Sequence, residues 1–214
     1  NLGLYRYFGN SLIVSSISLV GILTCSSLLA YGLTRFQAKG SHVIFLLVLG
    51  GMTLSEQLAL VPLFKILKAI KFYDSYLAVI FPYIAFRIPF TVFLMRSYFL
   101  SIPKELEEAA IVDGYNSFQI FTKIILPISK PVIASAGIVN LNFVWNEFLF
   151  ANVFLNNKKI QTIPIGLMTF KGDLKVDYTT TLAGLIISSL PLIILFLCFS
   201  KHFVRGLTTG AVKG

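Results

Sequence analysis

Long apolar runs alternate with short polar ones along this chain, and the lengths of the runs set its organisation. From Tyr7 to Thr34 there is no charged residue, and SLIVSSISLVGILTCSSLLAYGL is long enough to cross a membrane, since a hydrocarbon core of about 30 Å takes roughly 20 apolar residues as a helix. The same rhythm predicts five spans, at residues 10–34, 43–67, 75–99, 131–155 and 181–203. The first is rich in Ser, Gly and Ala, which let helices approach closely in lipid. The second is interrupted by Glu56 and Pro62, and the third holds Pro82, Arg87 and Pro89. Membrane helices tolerate proline when neighbours satisfy the freed carbonyls, so a kinked, packed helix is expected there. The fourth carries Asn140, Asn142, Trp145, Asn146 and Glu147, and a short basic tail, VRGLTTGAVKG, occupies residues 204–214.

The stretch 100–130 breaks the rhythm. Within it, SIPKELEEAAIVDG has the marks of a short helix, with Ser101 as a cap, Pro103 in the first turn and Glu105, Glu107 and Glu108 near the positive end of the dipole. Gly114 is the expected stop. Leu106, Ala109, Ala110 and Asp113 share one narrow face lined by small side chains. A second amphipathic piece, from Asn116 to Ile125, sets Phe118, Phe121 and Ile125 along one side before Pro127 breaks it. A helix, a glycine turn and a second helix make a shape that fits a groove on a soluble partner. The alternative is an amphipathic hairpin lying on lipid, and periodicity alone does not choose between them.

Composition agrees with a membrane protein. The chain is 56% hydrophobic and only 13% charged, with 20 Phe and a mean hydropathy of +0.82, which leaves no room for a separate soluble domain. The net charge of +9 comes from basic residues scattered singly between apolar runs, unlike the clusters that bind a phosphate backbone, so nucleic acid is not an expected partner. Cys25 and Cys198 lie inside apolar runs without a CxxC or His neighbour, so neither a metal site nor a disulfide framework is indicated. His42 and His202 stand apart from other ligands or a nucleophile, which disfavours a membrane-embedded enzyme. No GxxxxGK[ST] loop is present, so ATP hydrolysis is not expected of this chain, and no cofactor is implied. Lys and Arg are nearly balanced between the two sets of span ends, so charge alone does not orient the chain. The first residue is Asn1, and no basic segment with a cleavage site precedes the first apolar run, so a further N-terminal segment is expected rather than a signal peptide.

Polar groups inside the spans are functional candidates, because an ionised side chain at mid-bilayer costs roughly 2.5 to 3.5 kcal/mol on insertion scales. Glu56, Arg87 and Glu147 qualify. On an ideal helix Asn140 and Glu147 share one face while Asn142 and Asn146 share nearly the opposite one. One pair would line a path and the other would bond to a neighbouring helix, and the pattern leaves open which does which. Arg87 has two candidate partners, Glu56 and Glu147. A relay through these three groups would suit a secondary, ion-gradient transporter, which is the alternative function.

Glu108-Ala109-Ala110, three residues, Gly114, nine residues, Ile124, one residue and Leu126-Pro127 resemble the EAA loop of bacterial ABC importer permeases, EAA-x3-G-x9-I-x-LP. The segments YFGNSLIVS, FRIPFTVFLMRSYFLSIPKELEEAA, LPISKPVIA, VWNEFL, QTIPIGLMTF and GLTTGAVKG extend the likeness over nearly the whole chain, to carbohydrate-uptake permeases of the maltose-transporter second membrane subunit type. The resemblance implies an all-α, multi-span, type I ABC importer permease fold. Members usually have six spans, so one more is expected ahead of Asn1. It implies that loop 100–130 is a cytoplasmic coupling element seated in a cleft of an ATP-binding subunit dimer. Glu108 would pair with a basic group there, Ala109 and Ala110 would be small enough to seat, Gly114 would permit the turn, and Asp113, Phe118 and Pro127 would complete the element. The tail, with Gly206, Gly210 and Lys213, would reach the ATPase dimer. Further implied partners are a second, homologous permease subunit forming a heterodimer, and an extracytoplasmic sugar-binding protein. The implied place is the bacterial plasma (inner) membrane, multi-pass, with a cytoplasmic C-terminus. In this family the companion permease can hold most substrate contacts.

Overall fold

The charge-free run after Arg6 folds as one continuous helix, α1 (Leu4–Arg35). In chain order there follow α2 (Ser41–Gly50), a 3-10 turn (Gly51–Thr53), α3 (Glu56–Ala69), α4 (Leu77–Ser101), α5 (Glu105–Val112), α6 (Ser117–Ile120), a π turn (Phe121–Ile125), α7 (Leu126–Ile128), α8 (Lys130–Asn146), α9 (Leu149–Phe154) and α10 (Ile163–Met168). α11 (Leu182–Leu197) closes the series. The computed structural model describes residues 3–36, 40–168 and 182–197, and among these all regular structure is helical. The fifth expected span is described only over α11, and the tail with Gly206, Gly210 and Lys213 lies outside the described residues.

α1 reverses the polarity of a soluble helix. Ser11, Ser15, Ser18, Ser26 and Ala30 are buried at helical spacings, while Leu12, Ile13, Ile17, Val20 and Leu28 stay exposed. In lipid there is no gain in hiding large apolar side chains from their surroundings, so small residues take the interface and let backbones close in. The main neighbour of α1 is α4, with α8 against both. At Gly21 an added Cβ would meet Ile84 Cδ1 of α4 at 2.5 Å, so a side chain there would push that residue aside. α4 runs through Pro82 and Pro89 without a break.

The expected span 43–67 is divided, and a second bend falls at the boundary expected between the loop 100–130 and the span 131–155. α1 and α4 are each long and apolar enough to cross a membrane; α2 with its 3-10 turn meets α3 at 99°, and the helical segment 117–128 meets α8 at 75°. The first bend follows Gly50 and Gly51, where Leu54 and Ser55 are extended and place Glu56 at the start of α3. The second falls at Ser129, not at Pro127. Pro127 does not end its segment, because a π turn widens the helix just ahead of a residue whose ring and missing N–H oppose a regular turn. The stretch 131–155 is also split: α8 stops at Asn146, Glu147 is extended, and α9 starts at Leu149.

Packing falls into two main cores. One gathers Val14, Ile22, Val79, Tyr83, Phe150 and Phe154; the other gathers Ala30, Tyr31, Met95, Phe99, Ile102, Ala110, Phe121 and Ile125. Beside the first, Asn10 donates to Lys159 O (2.9 Å) and Gln161 O (2.8 Å) and accepts from the Tyr76 hydroxyl (2.7 Å). At that same end Asp74, at φ +57°, accepts from the Asn156 and Asn157 amides at 2.8 Å each, tying the α3–α4 turn to the end of α9.

Candidate functional site

The loop between α4 and α8 is built from two capped pieces. Ser101, expected as the cap of the first, belongs instead to the last turn of α4, where it donates to Tyr98 O at 2.7 Å. α5 begins two residues after Pro103, with Lys104 ahead of it and Glu105, Glu107 and Glu108 in its first turn, where the helix dipole favours negative charge. It ends in a Schellman motif: Gly114 N–H donates to Ile111 O (3.0 Å) and Tyr115 N–H to Ala110 O (2.9 Å). Gly114 sits at φ +83°, which disfavours any residue with a Cβ, although the space around it is open. The second piece opens on a capping box, with Asn116 accepting from the Gln119 amide (2.9 Å) and Gln119 from the Asn116 amide (3.0 Å).

The two pieces have two distinct faces. Ala110, Ile120, Phe121 and Ile125 are buried in the core shared with α1 and α4. Glu108, Ala109, Asp113 and Gly114 are exposed, and so are Val112 (87%) and Phe118 (68%). Two expectations change here. Ala110 faces this chain's own core and not outward with Ala109, and Phe118 parts from Phe121 and Ile125. The reason is the same: Tyr31 and Phe99 supply an apolar wall that the loop pattern, taken by itself, does not contain.

Glu107 turns inward as well. Its Oε1 lies 2.5 Å from Arg35 Nε at the end of α1, with both side chains nearly closed off from solvent. Arg35 also donates from Nη2 to Phe99 O and Ile102 O, 3.1 Å each. Burial pushes the Glu107 carboxyl up from its ordinary value, against the lowering pull of Arg35, Lys104 and the Tyr31 hydroxyl. The carboxyl therefore sits where desolvation matters, and the fold holds it against its counter-ion.

Five of the six polar residues expected in the spans meet in one place. Glu56, Arg87, Asn142, Asn146 and Glu147 line a cavity of about 440 Å³ with Tyr83, Phe86, Phe143, Val144 and Phe150. Arg87 pairs with Glu56, and its guanidinium lies over the Phe143 ring at 4.1 Å. Glu147 accepts from the Tyr83 hydroxyl (2.5 Å), the Phe150 amide (2.8 Å) and the Ala151 amide (3.2 Å). It thus caps α9 as well as lining the cavity. Asn146 donates to Asn142 O (2.8 Å) and Oδ1 (3.1 Å). Asn140 stands apart, fully buried and donating to Thr91 Oγ1 (2.9 Å) and Ala136 O (2.8 Å). The expected pairing of Asn140 with Glu147 fails because the helix ends at Asn146, so helical spacing no longer governs Glu147. Carboxylates, amides and flat aromatic faces around one cavity suit a ligand with hydroxyls on its edge and apolar faces. Tyr83, one turn before Arg87 on α4, belongs to this set and was legible from its spacing. Among the described residues no group of His, Cys, Asp and Glu could hold a metal ion.

Residues 12–209 match the family described as binding-protein-dependent transport system inner membrane component. The chain belongs to this family. Among its relatives, the probable ABC transporter permease protein YurM of Bacillus subtilis is 49% identical over 214 residues, covering 100% of this chain and 71% of that protein. The trehalose/maltose transport system permease protein MalG of Thermococcus litoralis is 37% identical over 210 residues, 97% of this chain and 75% of that protein. Among solved structures, a bacterial ABC transporter involved in the import of the acidic polysaccharide alginate matches with a TM-score of 0.79 at 23% identity, over 95% of this chain and 76% of that chain. The inward-facing MetNI methionine ABC transporter matches with a TM-score of 0.69 at 18% identity, over 95% of this chain and 94% of that chain, and both confirm the permease fold. This member of the family is a membrane-embedded ABC importer permease, and such permeases are not themselves ATPases.

Proposed function

We propose that this chain forms half of the translocation path of an ATP-driven importer for sugars, oligosaccharides above all. A homologous permease would form the other half, a separate ATP-binding subunit dimer would supply the energy, and an extracytoplasmic binding protein would deliver the sugar. The observation that carries this is the two-sidedness of α5. The helix holding the EAA pattern is fastened to the protein by Glu107 and Ala110 and offers Glu108, Ala109 and Val112 outward. Loop 100–130 and the tail 204–214 then face the cytoplasm, with Gly206, Gly210 and Lys213 as tail contacts. The substrate class is supported by relatives named for trehalose/maltose, for arabinooligosaccharides and for melibiose, raffinose and stachyose, and by the aromatic and carboxylate lining of the cavity. Glu56, Arg87, Asn142, Asn146 and Glu147 are assigned to the path on that lining, whereas Asn140 is assigned to helix packing.

The test is co-purification of the ATP-binding subunit with this permease, followed by uptake of labelled maltose, raffinose and arabinotriose into vesicles. Glu108→Lys is expected to abolish co-purification while leaving the permease in the membrane. The cavity also unites Glu56, Arg87 and Glu147, as an ion-driven carrier would require. Uptake that ran on an ion gradient without ATP would establish that reading and overturn the main one.

A further inference from the structure

We propose that Arg35 is a positioning residue that locks α5 to the end of α1, so that a push on the exposed face of α5 moves α1 and α4 as one body. This rests on the docking of α5 by an ATP-binding subunit proposed above. One guanidinium gathers three segments: the last turn of α4 through Phe99 O, the extended linker through Ile102 O, and α5 through Glu107. Phe99 O accepts the Ile102 N–H (3.2 Å) but has no i+4 amide to meet, because residue 103 is proline, and a cation there also complements the dipole. Arg suits this role because its planar fork serves several acceptors at once, which a lysine ammonium does not reproduce.

The lock has a second point. Tyr31, one turn before Arg35, places its ring 5.0 Å from Phe121, so the second piece of the loop is fastened to the same stretch of α1. Only Ile102, Pro103 and Lys104 join α4 to α5. Without Arg35 that linker becomes a pivot, and the load on α5 would turn the helix in place instead of shifting the spans.

The experiment uses the full permease assembled with its companion and ATP-binding subunits. Cys25 and Cys198 are replaced by Ala, and spin labels are placed at Leu28 of α1 and Ile111 of α5, both exposed and neither assigned to the docking face. The expected wild-type result is one narrow distance distribution, the same without nucleotide and with vanadate-trapped ATP. Arg35→Gln and Glu107→Gln are each expected to broaden it at least twofold, with the double variant no broader. The sugar imported per ATP hydrolysed, read with labelled maltose, raffinose and arabinotriose, is expected to fall at least fivefold while co-purification of the ATP-binding subunit persists. A distribution as narrow as wild type in both single variants overturns the proposal. So does loss of co-purification with Arg35→Gln, which would make Arg35 part of the docking contact. If Arg35→Gln is not recovered as a folded permease in the membrane, Glu107→Gln, which keeps the side-chain shape, decides alone. A wild-type complex that hydrolyses ATP without importing any of these sugars counts against the substrate reading, and the distance measurement still judges the lock.

Discussion

At its Asn10 end α1 is held by a neutral amide that meets two backbone carbonyls and a tyrosine hydroxyl, whereas at its Arg35 end it is held by a charge that meets two carbonyls and a carboxylate. Both fastenings join segments far apart in sequence. They differ in what lies beyond them. The Asn10 partners are two carbonyls in the 155–162 segment and the Tyr76 hydroxyl just ahead of α4, so that end ties the chain to itself. The Arg35 partner Glu107 lies on a helix whose other side is exposed, so that end ties the chain to something that can be pulled. A neutral hydrogen-bonded network fixes a shape; under the docking proposed above, a buried ion pair on α5 would pass a displacement along, since breaking either partner leaves an uncompensated charge.

Substitutions can separate the two roles. The largest stability effect is expected at the Asn10 end: Asn10→Ala strands carbonyls and a hydroxyl and should cost about 3 kcal/mol, measured by unfolding in detergent, with sugar imported per ATP unchanged. A fall in that ratio would erase the distinction between the ends. Gly114→Ala comes next, at about 1 to 2 kcal/mol, because an L residue is forced into the left-handed region. The loss should appear as faster hydrogen exchange of α5 amides alone, since the space around Gly114 is open and nothing else needs to move. The smallest effect is expected midway between the ends. Asn140→Ala removes an interhelical bond to Thr91 and should cost about 0.6 kcal/mol, with sugar uptake unchanged. Altered sugar selectivity in that variant would return Asn140 to the path.

The two long helices were legible because a charge-free run of that length has one stable solution in lipid. The family was legible because the spacing from Glu108 to Pro127 is a fixed pattern of residue types. The bend at Leu54–Ser55 was not, since no residue there forbids a helix, whereas the bend at Ser129 falls where the loop was expected to end, with Pro131 in the first turn of α8. Asn116 and Gln119 stand at capping-box spacing, a signal that the hydrophobic stripe alone ignores. The inward turn of Ala110 and Glu107 had no local signal at all, because the wall they meet is made by Tyr31, Arg35 and Phe99. The cavity was half legible: its polar members were each visible as costly in a membrane, but their grouping depends on the helix ending at Asn146 and on Glu56 being carried to Arg87 by the turn before α3.

Because α5 keeps its seat on one side and its proposed contact on the other, the two should be open to independent change. Ala110 and Glu107 set the fit to this permease; Glu105, Glu108, Ala109 and Val112 are free of that duty. Transplanting those four outward positions from another permease, with the inward ones kept, should hand this chain to a foreign motor without refolding it. On the proposed docking, an eight-residue helix would work as an adaptor, and permeases with matching adaptors could share one engine.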